Sequence, residues 1–244
     1  MAATHKQSAY EYIKEKLIRG ALSAGDRLSP AALAREIGTS HIPVREAISQ
    51  LCSEGLVVQR PHRGAFVRQP DRREVAELMG LRKVLECNAA AWAARRITGS
   101  ELDELAAHVK QMRVLRGRIR EAEARGRRLP LDQWGPVDVA FHRVLWEAAG
   151  NQQVIKVIED TNIMVRMFGY RTDYPLDWPK MAAFYAGNYR VHRDVYLAVR
   201  QHDPKKARRA MAAHMRRTRK NLLARFDWLL QQRESGARGA TIPV

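Results

Sequence analysis

Two short helical segments separated by only a few residues constrain the N-terminal part of the chain more than any other feature. Ser29 and Pro30 read as an N-cap followed by a proline at the first helical position. The helix should end at Gly38, because glycine is favoured just past a helix C-terminus. A second helix should follow over residues 40–53, with Pro43 in the first turn, where a backbone nitrogen needs no intrahelical partner. Two helices in such close succession predict a helix-turn-helix.

The flanking segments extend this motif into a winged domain. Residues 8–21 place apolar side chains on one helical face, and residues 56–69 form two β-branched runs around a proline-glycine turn, which predicts a hairpin. From residue 71 onward the apolar spacing is helical throughout, and Ser100 is expected to cap one of these helices. We therefore predict a mainly α protein with three parts: an N-terminal winged helix-turn-helix domain (residues 1–70), an all-α bundle of six or seven helices (residues 71–231) and a flexible tail (residues 232–244).

The charge of the chain favours a polyanionic partner. It carries 43 Lys and Arg against 26 Asp and Glu, a formal net charge of +17. Charge alone does not separate DNA from RNA or from acidic membranes. The 2 cysteines make no disulfide or metal-binding framework, and no apolar run reaches the roughly 18 residues of a membrane span. These observations predict a cytoplasmic protein without a membrane segment.

The start of the second short helix carries the side chains expected to read DNA. Ser40, His41, Ile42 and Arg45 lie at the N-terminal end, from which a recognition helix contacts base edges. Arginine is the commonest reader of guanine. Arg63 at the hairpin tip could enter the minor groove or hold a phosphate, and Gly64 lets the backbone come close. Double-stranded DNA is the expected partner; a helical protein-interaction module with a hairpin is the alternative.

A second group of polar residues has the spacing of a metal site. Asp138 and His142 are four residues apart and share a helix face. His192 and His214 lie 11 residues before and after Asp203, which with a following proline begins a helix. In an antiparallel helical hairpin both histidines then lie about 16 Å from the turn. One carboxylate and three imidazoles suit Zn²⁺, Ni²⁺, Mn²⁺ or Fe²⁺. Spacing alone leaves open that the histidines are separately satisfied polar residues.

Three stretches carry a resemblance to a known family. The N-terminal part resembles the DNA-binding domain of GntR-superfamily transcription regulators through "GDRLSPAALAREIGTSHIPVREAISQLCSEGLVVQRPHRGAFV". The C-terminal part is similar to the FCD-type domain of the FadR-like branch through "VDVAFHRVLWEAAGN" and "HRDVYLAVRQHDPKKARRAMAAH". The resemblance implies operator DNA as a partner, a homodimer, a divalent metal on the four residues of the preceding paragraph and a small carboxylate effector. Candidate effector anchors are Arg82, at a family position that often faces the pocket, together with Arg166 and Asn151.

Three functions follow from these features. The leading one is a ligand-responsive transcription regulator whose helical domain binds a metal and a small organic acid. The second is a metal-sensing repressor without an organic effector. The third is a metal-dependent hydrolase with a nucleic-acid-binding domain, since metal sites with open positions also catalyse hydrolysis. The chain has no HExxH pair, no P-loop and no glycine-rich dinucleotide motif, so we expect that it is not an enzyme.

Overall fold

The chain divides into two compact units, the first formed by Met1–Asp71 and Ile163–Arg171 and the second by Arg72–Asn162 and Thr172–Val244. The computed structural model describes residues 2–19, 21–22, 24–127, 130, 133–169 and 181–234. These residues are mainly helical and include one small sheet. The predicted fold class, a mainly α protein with an N-terminal winged helix-turn-helix, is confirmed.

The first unit combines three helices with a three-stranded antiparallel sheet. Strands β2 and β3 form the predicted hairpin, and β1 pairs with the other edge of β3, so the strand order is β1-β3-β2. Strand β1 was not predicted, because a strand of two residues has no periodicity to detect. In chain order the elements are α1 (Ala2–Arg19), β1 (Arg27–Leu28), α2 (Pro30–Ile37), α3 (His41–Ser53), β2 (Val57–Arg60) and β3 (Gly64–Val67).

Local signals set the boundaries of the two short helices. The Ser29 side chain accepts a hydrogen bond from the backbone N–H of Ala32 at 3.3 Å, and Pro30 occupies the first turn of α2. Gly38 ends α2 with φ of 73°, a left-handed conformation that a residue without a Cβ adopts at little cost. Helix α3 begins at His41, which puts Pro43 in its first turn as predicted. Apolar side chains from all three helices and the sheet form one core, including Ile13, Leu17, Leu28, Leu33, Val44, Ile48, Leu51, Val57 and Val67.

The second unit is an all-α bundle. Helix α4 packs against α6, α8 and α9; α5 packs against α6 and α8; and α8 packs against α9. The last helix continues to Glu234, three residues into the segment predicted as a tail, since no glycine or proline lies between Pro204 and Gly236. The residues after Glu234 lie outside the described part of the chain. Among the described residues, the helices from Arg72 onward are α4 (Arg72–Arg96), α5 (Gly99–Ala124), α6 (Trp134–Ala149), α7 (Gln152–Gly169), α8 (Met181–Arg200) and α9 (Pro204–Glu234), and the end of α7 groups with the first unit.

The cap of α5 differs from the prediction. Thr98, not Ser100, is the N-cap: its hydroxyl accepts from the backbone N–H of Glu101 at 3.3 Å, and the Glu101 carboxylate accepts from the backbone N–H of Thr98 at 2.8 Å. This reciprocal pair satisfies two helix-end donors at once, which a serine cap two residues later does not. Within the described residues, no helix has both the length and the apolar character that crossing a bilayer demands.

Candidate metal centre and nucleic-acid interface

Three buried histidines from three helices meet inside the second unit. His142 lies on α6, His192 on α8 and His214 on α9, and their exposed fractions are 3%, 1% and 5%. One ring nitrogen of each lies within 4.8 Å of the other two. The Nε2 atoms of His142 and His214 are 3.1 Å apart, and the ring centroids of His192 and His214 are 4.3 Å apart. The structure thus brings together the three imidazoles that the sequence analysis singled out.

Asp138 lies beside this cluster, one turn before His142 on α6. Its Oδ1 atom is 3.0 Å from Nε2 of His192, yet this Nε2 has no partner of adequate hydrogen-bond geometry among the described residues. The opposite nitrogen, Nδ1 of His192, lies 2.7 Å from the backbone carbonyl of Asn188. Because a carbonyl only accepts, Nδ1 carries a proton, and Nε2 is the ring nitrogen that faces Asp138 and the cluster. A lone pair facing a carboxylate is stable only with a cation or a proton between them.

A buried carboxylate that the sequence analysis did not select holds His142. Glu86 on α4 is fully buried, and its Oε2 atom lies 3.2 Å from Nδ1 of His142. The same Glu86 accepts from Nε1 of Trp146 at 2.9 Å and from the guanidinium of Arg82 at 2.6 Å. With Nδ1–H directed to Glu86, the Nε2 lone pair of His142 points into the cluster. The available signal was a glutamate just before the alanine-rich stretch of α4, at a position where the helix is buried.

The two buried carboxylates stay ionised because their polar neighbours favour the charged form. Burial by itself raises the pKa of Glu86, but the neighbouring His142 and Arg82 outweigh it and hold the pKa well below its usual range. Burial likewise raises the pKa of Asp138, whereas the neighbouring imidazoles, His192 before His142 and His214, lower it by more. Both side chains are therefore anions near pH 7.

The histidines differ from one another in protonation. Burial, together with the proximity of His192 and His142, lowers the pKa of His214 well below 6.5, so this ring is neutral near pH 7. Burial also lowers the pKa of His142, but the Glu86 carboxylate more than offsets that effect, and the net pKa is raised. A proton on His142 therefore competes with any cation that the cluster binds.

The donor set fits a divalent transition-metal ion. Neutral imidazoles and one carboxylate are the ligands that such ions take in proteins. At metal–nitrogen distances of about 2.0–2.1 Å, two Nε2 atoms 3.1 Å apart subtend roughly 95–100° at the ion, between octahedral and tetrahedral angles. Asp138, His142, His192 and His214 are the residues that could hold the ion.

The three candidate effector anchors have different surroundings. Arg82 is buried beside the cluster, to which it is connected through Glu86, and its Nε atom has no partner among the described residues. The side chain of Asn151 accepts from the backbone N–H of Val154 at 3.1 Å and so caps α7. Arg166 lies on α7, but its side chain falls outside the described residues. Of the three, Arg82 alone is shown in contact with the network behind the histidines.

The predicted DNA-reading side chains are exposed on the first unit. Ser40 is the N-cap residue of α3, makes no side-chain capping bond, and is followed by the exposed His41 and Arg45. Arg63 is exposed in the turn between β2 and β3, and Gly64 has φ of 97°. Neither arginine forms an ion pair with any described residue. Unpaired cations beside a helix N-terminus form a surface suited to phosphate and base edges.

Comparison with known proteins covers both units. Residues 5–67 match the gntR family of bacterial regulatory proteins, and residues 77–217 match the FCD domain. The chain is 27% identical over 209 residues to the HTH-type transcriptional repressor RspR of Escherichia coli (strain K12), covering 86% of this chain and 85% of that protein. It is 27% identical over 207 residues to the "Probable D-xylose utilization operon transcriptional repressor" of Paenarthrobacter nicotinovorans, covering 84% of this chain and 83% of that protein. The structure of E. coli McbR/YncC has the same fold, with a TM-score of 0.74, 22% identity and coverage of 91% of this chain and 98% of that one.

Proposed function

The chain belongs to the GntR family of bacterial regulatory proteins and carries an FCD domain, and on this premise we propose that its effector-binding unit holds one divalent metal ion and a small carboxylate. The protein is a transcription regulator with a DNA-binding helix-turn-helix unit and an FCD effector-binding unit. Its family and relatives are regulators and not enzymes, which removes the hydrolase alternative.

The observation that carries the metal proposal is the outward orientation of two imidazole protons. Nδ1–H of His192 is directed to the carbonyl of Asn188, and Nδ1–H of His142 is directed to Glu86. Both Nε2 lone pairs therefore face the cluster, where His214 adds a third nitrogen. Separately satisfied histidines would leave no buried ring nitrogen without a hydrogen-bond partner, whereas Nε2 of His192 and Nδ1 of His214 have none among the described residues. Lone pairs of this orientation, next to the anionic Asp138, favour a cation at the centre.

Charge balance supports an anionic effector. Metal ligation requires neutral imidazoles, so the buried charges are those of the ion, of Arg82 and of the two carboxylates Asp138 and Glu86. A divalent ion then leaves the site with one net positive charge. An isolated buried charge is costly, and one carboxylate ligand on the ion would neutralise it. The unpaired Nε of Arg82 is our preferred second anchor for this carboxylate, with Arg166 and Asn151 as further candidates.

We further propose that two copies form a homodimer that binds operator DNA in the cytoplasm. In such a dimer each winged unit reads one half-site, and the half-sites lie about 34–36 Å apart or at a multiple of that spacing. The effector changes DNA affinity only to the extent that it binds the DNA-competent and DNA-incompetent arrangements differently. Ser40, His41 and Arg45 would contact base edges, while Arg63 and Gly64 would contact the backbone or minor groove.

The test combines metal analysis with DNA binding. We expect the double variant His192→Ala/His214→Ala to lose its bound metal and its response to small carboxylates, while it retains DNA binding. The matched control is His108→Ala, since His108 lies in the same unit but outside the cluster. Metal is measured by mass spectrometry, and operator affinity by fluorescence anisotropy with a panel of mono-, di- and hydroxycarboxylates. An unchanged metal content in the double variant would contradict the proposal.

The same experiment separates the effector hypothesis from metal sensing. If the carboxylates change the operator affinity of the metal-loaded protein, the organic acid is the signal. If removal and return of the metal change the affinity and no carboxylate does, the protein is a metal-sensing repressor.

A further inference from the structure

Ile42 is an apolar side chain exposed at the DNA-reading end of α3. Its exposed fraction, 69%, is the highest among the large apolar side chains in the described part of the chain. Helix α3 buries another face, formed by Val44, Ala47, Ile48 and Leu51. Ile42 therefore contributes nothing to the core of the first unit.

The neighbours of Ile42 are polar side chains that are predicted to contact DNA bases. Arg45 lies three residues later on α3, so the two side chains are neighbours on one exposed face. Ser40 and the exposed His41 precede it at the helix N-terminus. A single exposed isoleucine is ordinary on a protein surface. Here, however, it stands among the residues that face the floor of a major groove when a recognition helix docks.

The major groove offers an apolar side chain one apolar group, the 5-methyl of thymine. The other groups on its floor are hydrogen-bond donors and acceptors, which an isoleucine would desolvate without replacing their bonds. The neighbouring Arg45, which has no ion-pair partner among the described residues, can bind guanine or a phosphate. This face of α3 therefore presents a cation to the DNA and an apolar side chain to one base. This combination favours DNA over an apolar protein partner.

We propose that Ile42 contacts the 5-methyl group of a thymine in each operator half-site, close to the base pair that Arg45 reads. The inference rests on α3 being the recognition helix, and it adds a residue that determines base choice. It does not depend on the metal or on the effector. Burial of one methyl group corresponds to a change in affinity of about fourfold.

The experiment first selects the preferred DNA from a random duplex library with the wild-type, full-length protein. Each thymine of that site is then replaced in turn by deoxyuridine, which removes the methyl group and keeps every hydrogen-bonding group. We expect one position per half-site at which uracil weakens binding by about threefold to tenfold. For Ile42→Ala, uracil at that position should have no further effect, as a double-mutant cycle requires.

Controls separate this contact from general weakening. Leu81→Ala removes another exposed apolar side chain, on α4 in the second unit, and should leave the uracil effect intact. Circular dichroism checks that Ile42→Ala is folded, as its exposure leads us to expect. Equal uracil effects in wild type and Ile42→Ala, or none at any thymine, would overturn this inference alone. Failure of the wild type to select any DNA would overturn the assignment of α3 as the reader and this inference with it.

Discussion

Two residues outside the proposed ligand set determine how the imidazoles face the cluster. Glu86 accepts from His142, and the backbone carbonyl of Asn188 accepts from His192. Glu86 is a costly residue to bury, and its ion pair with Arg82 and hydrogen bond from Trp146 compensate for the loss of water. A buried ion pair is weak evidence for stability. Its contribution here is to direct Nδ1 of His142, a proposed ligand, away from the cluster.

We therefore predict that Glu86→Gln lowers the metal affinity by about 10–100-fold. Glutamine keeps the shape of the side chain but removes the charge that orients His142 and increases its basicity. Competition with a chelating dye measures the affinity. Glu77→Gln is the matched control, because Glu77 lies on the same helix, is exposed and pairs with Arg73. A folded Glu86→Gln protein with wild-type metal affinity would show that this carboxylate does not orient the ligand.

Metal affinity should also depend on pH in a defined direction. Burial lowers the pKa of His142 and the Glu86 carboxylate raises it by more, so the net pKa lies above the usual value of about 6.5. At a pH below this raised pKa the ring holds a proton that the metal must displace. We predict that affinity increases as pH rises through and above about 6.5. Calorimetric titration of metal-free protein from pH 5.5 to 8.5 measures it, and a flat profile would exclude His142 as a ligand.

At the scale of secondary-structure elements, α3 and the β2–β3 hairpin are predicted to make different kinds of contact with DNA. Arg45 lies on the N-terminal half of the recognition helix, and Arg63 lies in a turn whose backbone includes the positive φ of His62 and Gly64. A helix end in the major groove reads base edges, whereas a tight turn brings backbone and side chain to phosphates.

We predict that Arg45→Ala weakens binding to the selected operator by about 1–3 kcal/mol and relaxes base choice at one position. Arg63→Ala should weaken binding to all sequences nearly equally and reduce the slope of log affinity against log salt by about one. Anisotropy titrations on operator and scrambled DNA at several salt concentrations distinguish the two. A uniform loss for Arg45→Ala would reassign this side chain to a phosphate.

The α8–α9 hairpin is the element that pairs two of the proposed ligands. Its turn is defined by the Asp203 side chain, which accepts from the backbone N–H of Lys206 at 2.9 Å and caps α9, with Pro204 at the first helical position. Equal arms of 11 residues then place His192 and His214 at one level. A metal held at this level would join the hairpin to α6 through His142.

At the scale of the whole molecule, such an ion would cross-link three helices of one unit and none of the other. A ligand that binds only the folded state stabilises it by about 4 kcal/mol at a thousandfold excess over its dissociation constant. For a unit of this size, that corresponds to a rise in melting temperature of roughly 10 °C. We predict a shift of this order for the second unit when metal is returned to stripped protein.

Tryptophan fluorescence measures this shift selectively. All 5 tryptophans lie between residues 92 and 228, and one of them, Trp146, donates to Glu86 behind the cluster. The first unit has no tryptophan, so its transition is followed by circular dichroism and should not move. The His192→Ala/His214→Ala variant is the control and should melt at the same temperature with and without metal. A metal-induced shift in that variant would place the ion elsewhere.

Local patterns in the sequence were sufficient to predict many of the helix boundaries and which residues share a helix face. Ser29 and Gly38 mark the two ends of α2, and Pro43 marks the first turn of α3. Each acts through hydrogen bonds or backbone angles that involve only a few residues. The pair of Asp138 and His142 shares a face because helical geometry places residues four apart together. Regular spacing likewise predicted the helical hairpin around Asp203. Such features need no knowledge of distant segments, since their interactions span one or two turns.

Tertiary structure alone decided which groups surround the histidines. Glu86 contacts His142 although 56 positions separate them in the sequence, and the residues next to either one do not predict this contact. The two-residue strand β1 exists only because β3 lies beside it. A capping bond or a helical period involves residues of one element, so a short stretch of sequence is enough to predict it. A buried contact between elements depends on how whole helices pack, and a short stretch of sequence does not determine that packing.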